Sequence, residues 1–387
     1  IERADTKYIL LSYNNMSDKG NDRSNAKISD ADIMRILSKK GKVTIFESDY
    51  KSFSTGKSDI KDNKERLFLC EVFSEEKKTI NISCPFNYIG GKFKLLEQLQ
   101  PLFLEKDVFL DLFAGGGNVG INSSSSKVIF NDLNEKLIDL IKFIKDTDTN
   151  ILLKQIDNII DGYGLSNTSL YGYSYYDCDS SRGLAEYNKG RFLKLRDDFN
   201  AKVLAGETDY SMLYVLMVFS FNNQIRFNRK GLFNLPVGKR DFNSKMKSKL
   251  VLFSEELKSK DVQFMKKDFR EISLDDFSQE TFIYCDPPYL ITNATYNENG
   301  MWTEIEEKAL LEFLDEANEK GFSFALSNVL ESKNKRNDIL YNWIESKGYY
   351  CNSLNKSYSN SNYHRKNKNS ISEEVLITNY PLNWRNK

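Results

Sequence analysis

Asp286-Pro287-Pro288-Tyr289 is the part of this chain whose residue types most directly suggest a reaction. It follows a short apolar run, 282–285, so an acid stands at the end of a buried strand and two prolines stop the strand there. Open α/β sheets bind ligands at the carboxyl ends of their strands. A carboxylate beside the Pro287 carbonyl can accept from both N–H groups of an exocyclic amine. Such an amine, adenine N6 for example, is a weak nucleophile because its lone pair is delocalised into the ring. Gripping both N–H groups draws the nitrogen towards tetrahedral geometry and aims the lone pair at a methyl carbon. Asp286 and Pro287 would do the gripping, and Tyr289 would offer a face on which the base stacks. The rate would come from alignment for in-line transfer, and a base inside a duplex would first have to be flipped out.

A second cluster reads as a cofactor bed. The run 108–113 leads into Gly115, Gly117 and Gly120, and a further strand, 127–130, ends at Asn131-Asp132. Glycines let the backbone bend sharply and approach a ligand, and an acid at the tip of the second strand can accept from ribose hydroxyls. The pattern alone fits either a dinucleotide or S-adenosylmethionine. For the latter, Asp111 suits the amine and Phe113 a packing wall. Gly90-Gly91 can aim Lys92 at the donor carboxylate, although a plain surface lysine is the commoner outcome. Asp268 could accept from the donor adenine amino group, and Phe269 could stack on its ring.

These residues need a scaffold that carries strand ends to one place. Strands at 108–113, 127–130, 282–285 and 322–326 alternate with helical stretches at 135–145 and from Thr303, whose capping-box form predicts a helix running to Lys320. The fold class expected is α/β: a Rossmann-like, mostly parallel, doubly wound sheet. Between 146 and 259 the character changes. A buried helix is expected at 210–221, and alternation broken by Lys230-Gly231 reads as a β-hairpin across 222–240. We read 146–259 as an inserted, mainly helical target-recognition domain, with 82–145 and 260–387 forming the catalytic domain.

The chain also contains an internal echo. Strand, helix, strand and closing strand at 7–15, 32–41, 43–47 and 66–72 recur in the same order at 322–328, 338–348, 349–354 and 374–378, each copy with a Ser/Asn/Lys-rich loop (52–64; 357–370). Residues 1–81 therefore read as the C-terminal remnant of a preceding copy, and the opening residue, Ile1 rather than Met, is expected of a piece of something longer.

Composition narrows the rest. One histidine and five scattered cysteines without a CxxC pair speak against a metal hydrolase, a His-dependent triad or a zinc site. No apolar run approaches a membrane span, so no membrane partner is expected, and the cytoplasm is the default compartment. The 55 basic and 55 acidic residues balance, which hides a local basic stretch. Arg226, Arg229, Lys230, Lys239 and Arg240 gather in the hairpin with Asn228 and Asn234. Arg and Asn can read base edges, while lysines hold phosphate. A second basic-aromatic stretch, 356–368, could contact phosphate too.

Taken together, residues from about 82 onward resemble the Dam-like, D12-class family of DNA adenine-N6 methyltransferases. The matching motifs are 87–92, Asp111–Gly120, Asn131-Asp132, Asp268-Phe269, Asp286–Tyr289, the hairpin from Arg226 to Gly238, and the closing segments 362–365 and 374–380. The tandem layout is similar to the fused methyltransferases of type IIS restriction systems. The resemblance implies S-adenosyl-L-methionine as cofactor, bound at Tyr88, Lys92, Asp111, Asp132 and Asp268, with adenine at Asp286, Pro287 and Tyr289. It also implies double-stranded DNA as partner, no metal, a monomer, and a bacterial, nucleoid-associated setting that protects host DNA. N4-cytosine or RNA amine methylation is a rival reading, as is a catalytically silent DNA-binding subunit.

Overall fold

The structure, a computed structural model, describes residues 8–14, 28, 30–38, 41–49, 64–72, 81–88, 90–291, 302–332, 335–354 and 372–381. The chain forms two compact units, Ile1–Ile80 and Asn81–Lys387.

The first unit contains β1 (Tyr8–Asn14), α1 (Asp30–Leu37), β2 (Gly41–Asp49) and β3 (Lys64–Val72). Its sheet has the order β1-β3-β2, with β3 antiparallel to both neighbours. Phe68 and Cys70, two apart on β3, face Ile33 and Leu37, four apart on α1, and these four form its core.

The second unit runs α2 (Leu96–Leu99), β4 (Val108–Asp111), β5 (Lys127–Asn131), α3 (Glu135–Asp146), α4 (Thr149–Tyr163), α5 (Thr168–Tyr171), α6 (Ala185–Leu204), α7 (Tyr210–Phe219), α8 (Ser244–Ser259), β6 (Asp261–Met265), β7 (Thr281–Cys285), α9 (Glu304–Glu319), β8 (Ser323–Ser332), β9 (Lys335–Arg336), α10 (Asp338–Lys347), β10 (Tyr350–Leu354) and β11 (Ser372–Thr378). Its sheet has the order β10-β11-β8-β7-β4-β5-β6. Strands β6, β5, β4, β7 and β8 are parallel, and β11 lies antiparallel between β8 and β10. Alternate residues of the central strands serve opposite faces. Phe109, Val128, Phe282 and Tyr284 join the core under α3, α4, α6, α7 and α8, while Leu110, Ile129, Ile283 and Cys285 join the core under α9 and α10. Helices on both faces explain why these strands read as unbroken apolar runs. The mainly parallel α/β sheet expected from the sequence is present.

Thr303 caps α9 in a reciprocal box with Glu306, as the spacing predicts. The segment 146–259 is mainly helical, and α7 is buried from Ser211 through Phe219. The hairpin is looser than alternation suggested. It is an antiparallel excursion with isolated bridges at Ser220↔Val237 and Phe227↔Phe233 rather than paired strands. Side chains replace part of the ladder. Asn200 of α6 accepts from the Phe233 N–H at 2.8 Å and donates to its carbonyl at 3.1 Å, and Asn228 Oδ1 accepts from the N–H groups of Lys230 and Leu232.

The two units share a pattern. β8-α10-β10-β11 and β1-α1-β2-β3 have the same element order, and in each the last strand sits antiparallel between the other two. The register matches as well. Ser12 pairs with Leu67 and Asn14 with Glu65; Ser327 pairs with Leu376 and Val329 with Glu374. The loops at 52–63 and 357–370, the second basic stretch and the motif 362–365 lie outside the described residues.

Gly238 closes the base of the hairpin, and a Cβ there would lie 2.2 Å from the Ser220 carbonyl oxygen. Backbone must move to admit it, so Gly238→Ala is expected to cost about 1–3 kcal/mol of stability. Urea unfolding checks this; an unchanged midpoint would contradict the close packing.

Candidate active site

Because β4, β5, β6 and β7 are parallel, their carboxyl ends emerge on one edge of the sheet. Chain order reverses at β4, which has β5 on one side and β7 on the other, and such a switch point opens a cleft. A cavity of about 650 Å³ lies there, and the tips supply Asp111, Asp132, Asp268 and Asp286 to its wall. Tyr88, Lys92, Phe113, Gly115, Phe269, Pro287 and Tyr289 line it too, so the expected chemistry-bearing residues converge in one place.

The glycine cluster divides its work. Gly115 adopts φ +50° and lies under the Tyr88 ring, which comes within 2.7 Å of where a Cβ would be. Gly117 turns at φ +72° and backs onto Phe130. The Gly120 N–H donates to Asp111 Oδ2 at 2.9 Å. Asp132 clasps the loop, accepting from the N–H groups of Gly115 and Asn134, each at 2.8 Å. Burial raises the Asp111 carboxyl to about 7, and the Asp286 and Asp132 carboxylates add to the rise. Burial also raises Asp132, against the two N–H groups that it accepts.

Asp268 is engaged by a residue that sequence reading missed. Arg270 donates Nε to Oδ1 at 2.9 Å and Nη2 to Oδ2 at 2.6 Å, and this pair holds the carboxyl below its ordinary range. Next to it stands an aromatic wall. Phe113 lies 5.7 Å from Phe269, and Trp302 lies 5.7 Å from Phe113 and 6.0 Å from Phe269. Trp302 was also missed. Its indole N–H donates to buried Glu307 at 2.7 Å, and Glu307 further accepts from Asn328 and Asn337.

The Asp-Pro-Pro-Tyr end holds a buried charge cluster. Lys92, 2% exposed, donates to Asp286 Oδ1 at 2.5 Å and to the Gly90 carbonyl at 3.1 Å, and pairs with Glu374 Oε1 at 3.3 Å. The ammonium therefore faces the acceptor acid, within reach of all three oxygens. The Tyr289 hydroxyl faces both acids, 3.0 Å from Asp286 Oδ1 and 3.1 Å from Glu374 Oε1. Burial raises the Asp286 carboxyl, Lys92 opposes the rise and Glu374 adds to it. Glu374 was visible in the sequence only as an acid leading a Val-Leu-Ile run. Such an acid inside an apolar strand was the signal available.

Two contacts tie the hairpin segment to residues close in sequence to the cavity lining. Asn87, beside Tyr88, donates its N–H to the Asn223 carbonyl at 3.1 Å and its Nδ2 to the Asn222 carbonyl at 2.8 Å. Lys136, near the start of α3, places its ammonium 5.2 Å from the Phe227 ring centroid. Arg226 and Asn234 bond each other, Nε to Oδ1 at 2.9 Å, and Asn228 spends its carbonyl on the turn. Arg229 and Lys230 stand exposed at the tip. Lys239 and Arg240 lie apart from the tip, where Leu184 and Gly183 pack on the Lys239 backbone. No cluster of three His, Cys, Asp or Glu placed for a metal, and no helix long and apolar enough to cross a membrane, occurs among the described residues.

A glycine loop clasped by a strand-tip acid, with an acid-Pro-Pro-Tyr turn across the same cleft, is the arrangement of an amine-directed methyltransferase. The chain belongs to the D12 class of N6 adenine-specific DNA methyltransferases, whose family model matches residues 88–369. It is 36% identical to Modification methylase StsI of Streptococcus sanguinis over 98% of this chain and 57% of that protein. It is 35% identical to Type II methyltransferase M.FokI of Planomicrobium okeanokoites over the same shares. A DNA adenine methylase of Vibrio cholerae is 27% identical over 62% of this chain and 79% of its own length. The chain thus spans 57% of the length of the first two relatives. The resemblance drawn from the motifs holds.

The raised carboxyl of Asp111 has a consequence for stability. The unfolded chain ionises this group near the ordinary aspartate value of 3.8, the folded chain near 7. Between these values the folded state binds more protons, so this group's contribution makes stability fall as pH rises from about 4 to about 7. Asp111→Asn is expected to flatten that slope. Unfolding curves at pH 5 and 7.5 check it, and an unaltered slope in the variant would contradict the assignment.

Proposed function

We propose that this chain transfers a methyl group from S-adenosylmethionine to N6 of an adenine extruded from double-stranded DNA, as part of a restriction-modification system. One observation carries the reading: Asp286, Pro287 and Tyr289 border the same cavity as the glycine loop and its acids. Donor and acceptor can therefore meet without a gap between them.

The residues fit this donor. A cavity of about 650 Å³ matches a ligand of that size. Gly115 lets the Tyr88 ring close on the loop, and the wall is acidic, which suits a ligand carrying an ammonium and a sulfonium. When bound, the donor supplies a methyl carbon activated by its sulfonium. Asp132 accepts from the ribose hydroxyls, and Asp268 and Phe269 hold the donor base, with Trp302 completing the wall. Asp111, ionised by a neighbouring cation, holds the amine. On the acceptor side Asp286 and the Pro287 carbonyl accept from the two N6 hydrogens and bring the lone pair into line, while Tyr289 stacks on the base. Excluding water from this cleft strengthens each of these contacts.

The segment 146–259 is the recognition module on this reading. Arg229 and Lys230 at the tip, with Lys239 and Arg240 beyond it, meet phosphate, and Arg226 with Asn234 forms a preset pair beside them. Asn228 supports the turn. Ile1–Ile80 is a second copy of the closing β-α-β-β module, supported by the shared strand order and by Glu65 and Glu374 at one register. StsI and M.FokI carry names of modification enzymes, which supports the setting proposed here.

Asp286→Ala is expected to lower methyl transfer by about a thousandfold or more while DNA affinity stays within about twofold. Tritiated-methyl incorporation and gel-shift titration check it, and a fully active variant would end the mechanism. Lys230→Ala is expected to weaken DNA binding evenly across sequences and to lower the salt slope by about one. A loss confined to one base pair of the site would show base reading instead.

A further inference from the structure

Glu374 is the buried acid that the reaction described above leaves without a part. It sits on the antiparallel strand β11 and is fully buried. Its Oε1 shares both hydrogen donors of Asp286: the Lys92 ammonium, 3.3 Å from it, and the Tyr289 hydroxyl, 3.1 Å from it. Asp286 Oδ1 holds the same two donors at 2.5 Å and 3.0 Å. Two donors thus stand between two carboxylates. A hydroxyl has one hydrogen, so Tyr289 serves one acid at a time. With Lys92 and Tyr289 both on Asp286 Oδ1, an amine that bonds this oxygen competes with them. A buried ammonium left without an acceptor is costly, and Glu374 removes that cost by receiving it.

From this geometry we propose that Glu374 is a positioning residue that takes over Lys92 and Tyr289 when Asp286 accepts from the substrate amine. The inference rests on the functional reading above. It assigns no contact between Glu374 and substrate. The described charged and titratable groups facing Asp286 are Lys92, Glu374, Tyr289, Asp111, Tyr284 and Cys285. Among these, Glu374 acts by its charge. It offers Lys92 a second carboxylate at 3.3 Å beside the 2.5 Å contact to Asp286, and it keeps the Asp286 carboxyl higher than Lys92 alone would leave it.

The test compares the full chain with Glu374→Gln, which keeps shape and a carbonyl acceptor but removes the charge, and with Glu374→Asp, which keeps the charge. Turnover on DNA is measured from pH 5 to 9, with donor affinity measured by calorimetry. In the glutamine variant Lys92 stays on Asp286. Turnover at neutral pH is expected to fall by about tenfold or more, with donor affinity within about twofold. The acid limb of its pH profile is expected to move to lower pH, because Asp286 has lost a neighbouring negative charge. The aspartate variant is expected to recover part of the turnover. Turnover within twofold of wild type in Glu374→Gln, an unmoved acid limb, or a parallel loss of donor affinity would each overturn the assignment. A wild-type chain that binds donor yet methylates no DNA would instead overturn the functional reading, and this inference with it.

Discussion

A lysine with 2% of its side chain exposed is tolerated only if oxygen atoms surround its ammonium, and here those oxygens come from separate parts of the fold. Asp286 is delivered by the end of β7, Glu374 by β11, and the Gly90 carbonyl by the turn before α2. Removing one partner of such a pair leaves an uncompensated buried charge and costs about 3–5 kcal/mol in typical cases. The cluster therefore ties the acceptor turn to the sheet's antiparallel strand. It is satisfied only when β11 lies beside β8 in the observed register, which brings Glu374 opposite Val329.

The same edge of the sheet gathers carboxylates. Asp111 and Asp132 are spaced by the parallel pairing of β4 and β5, and each accepts a loop N–H from the glycine cluster. Acids held this way cannot drift apart, so the field in the cleft is fixed before a ligand arrives. Burial raises Asp111 and Asp286, neighbouring carboxylates add to the rise, and Lys92 opposes it. A positively charged ligand is the complement such a cleft selects. The aromatic wall of Phe113, Phe269 and Trp302 adds a flat apolar slot beside the charges.

The elements that hold the site were legible because burial on both faces leaves a plain mark: 108–111, 127–131 and 281–285 are short apolar strands ending in an acid, an Asn-Asp pair and an Asp-Pro-Pro turn. The helix at α9 was legible from its capping box. What failed to show were contacts made through strand pairing. Nothing near Glu374 in the chain points to Lys92 or Tyr289, 282 and 85 positions away as counted by residue number. Spacing did not show that Gly115 meets the cavity while Gly117 backs onto Phe130. The partners of Lys92, Asp286 and Glu374, were likewise invisible in its spacing. The hairpin's ladder was overestimated because alternation does not reveal that Asn200 claims the Phe233 backbone.

The central claim is that this cleft joins a sulfonium donor to an adenine amino group in DNA. The most direct measurement incubates the purified chain with S-adenosylmethionine and unmethylated plasmid, then maps modified bases by long-read sequencing. The account predicts N6-methyladenine confined to one sequence context. Unmodified plasmid in the presence of bound donor, or N4-methylcytosine in place of methyladenine, would contradict it.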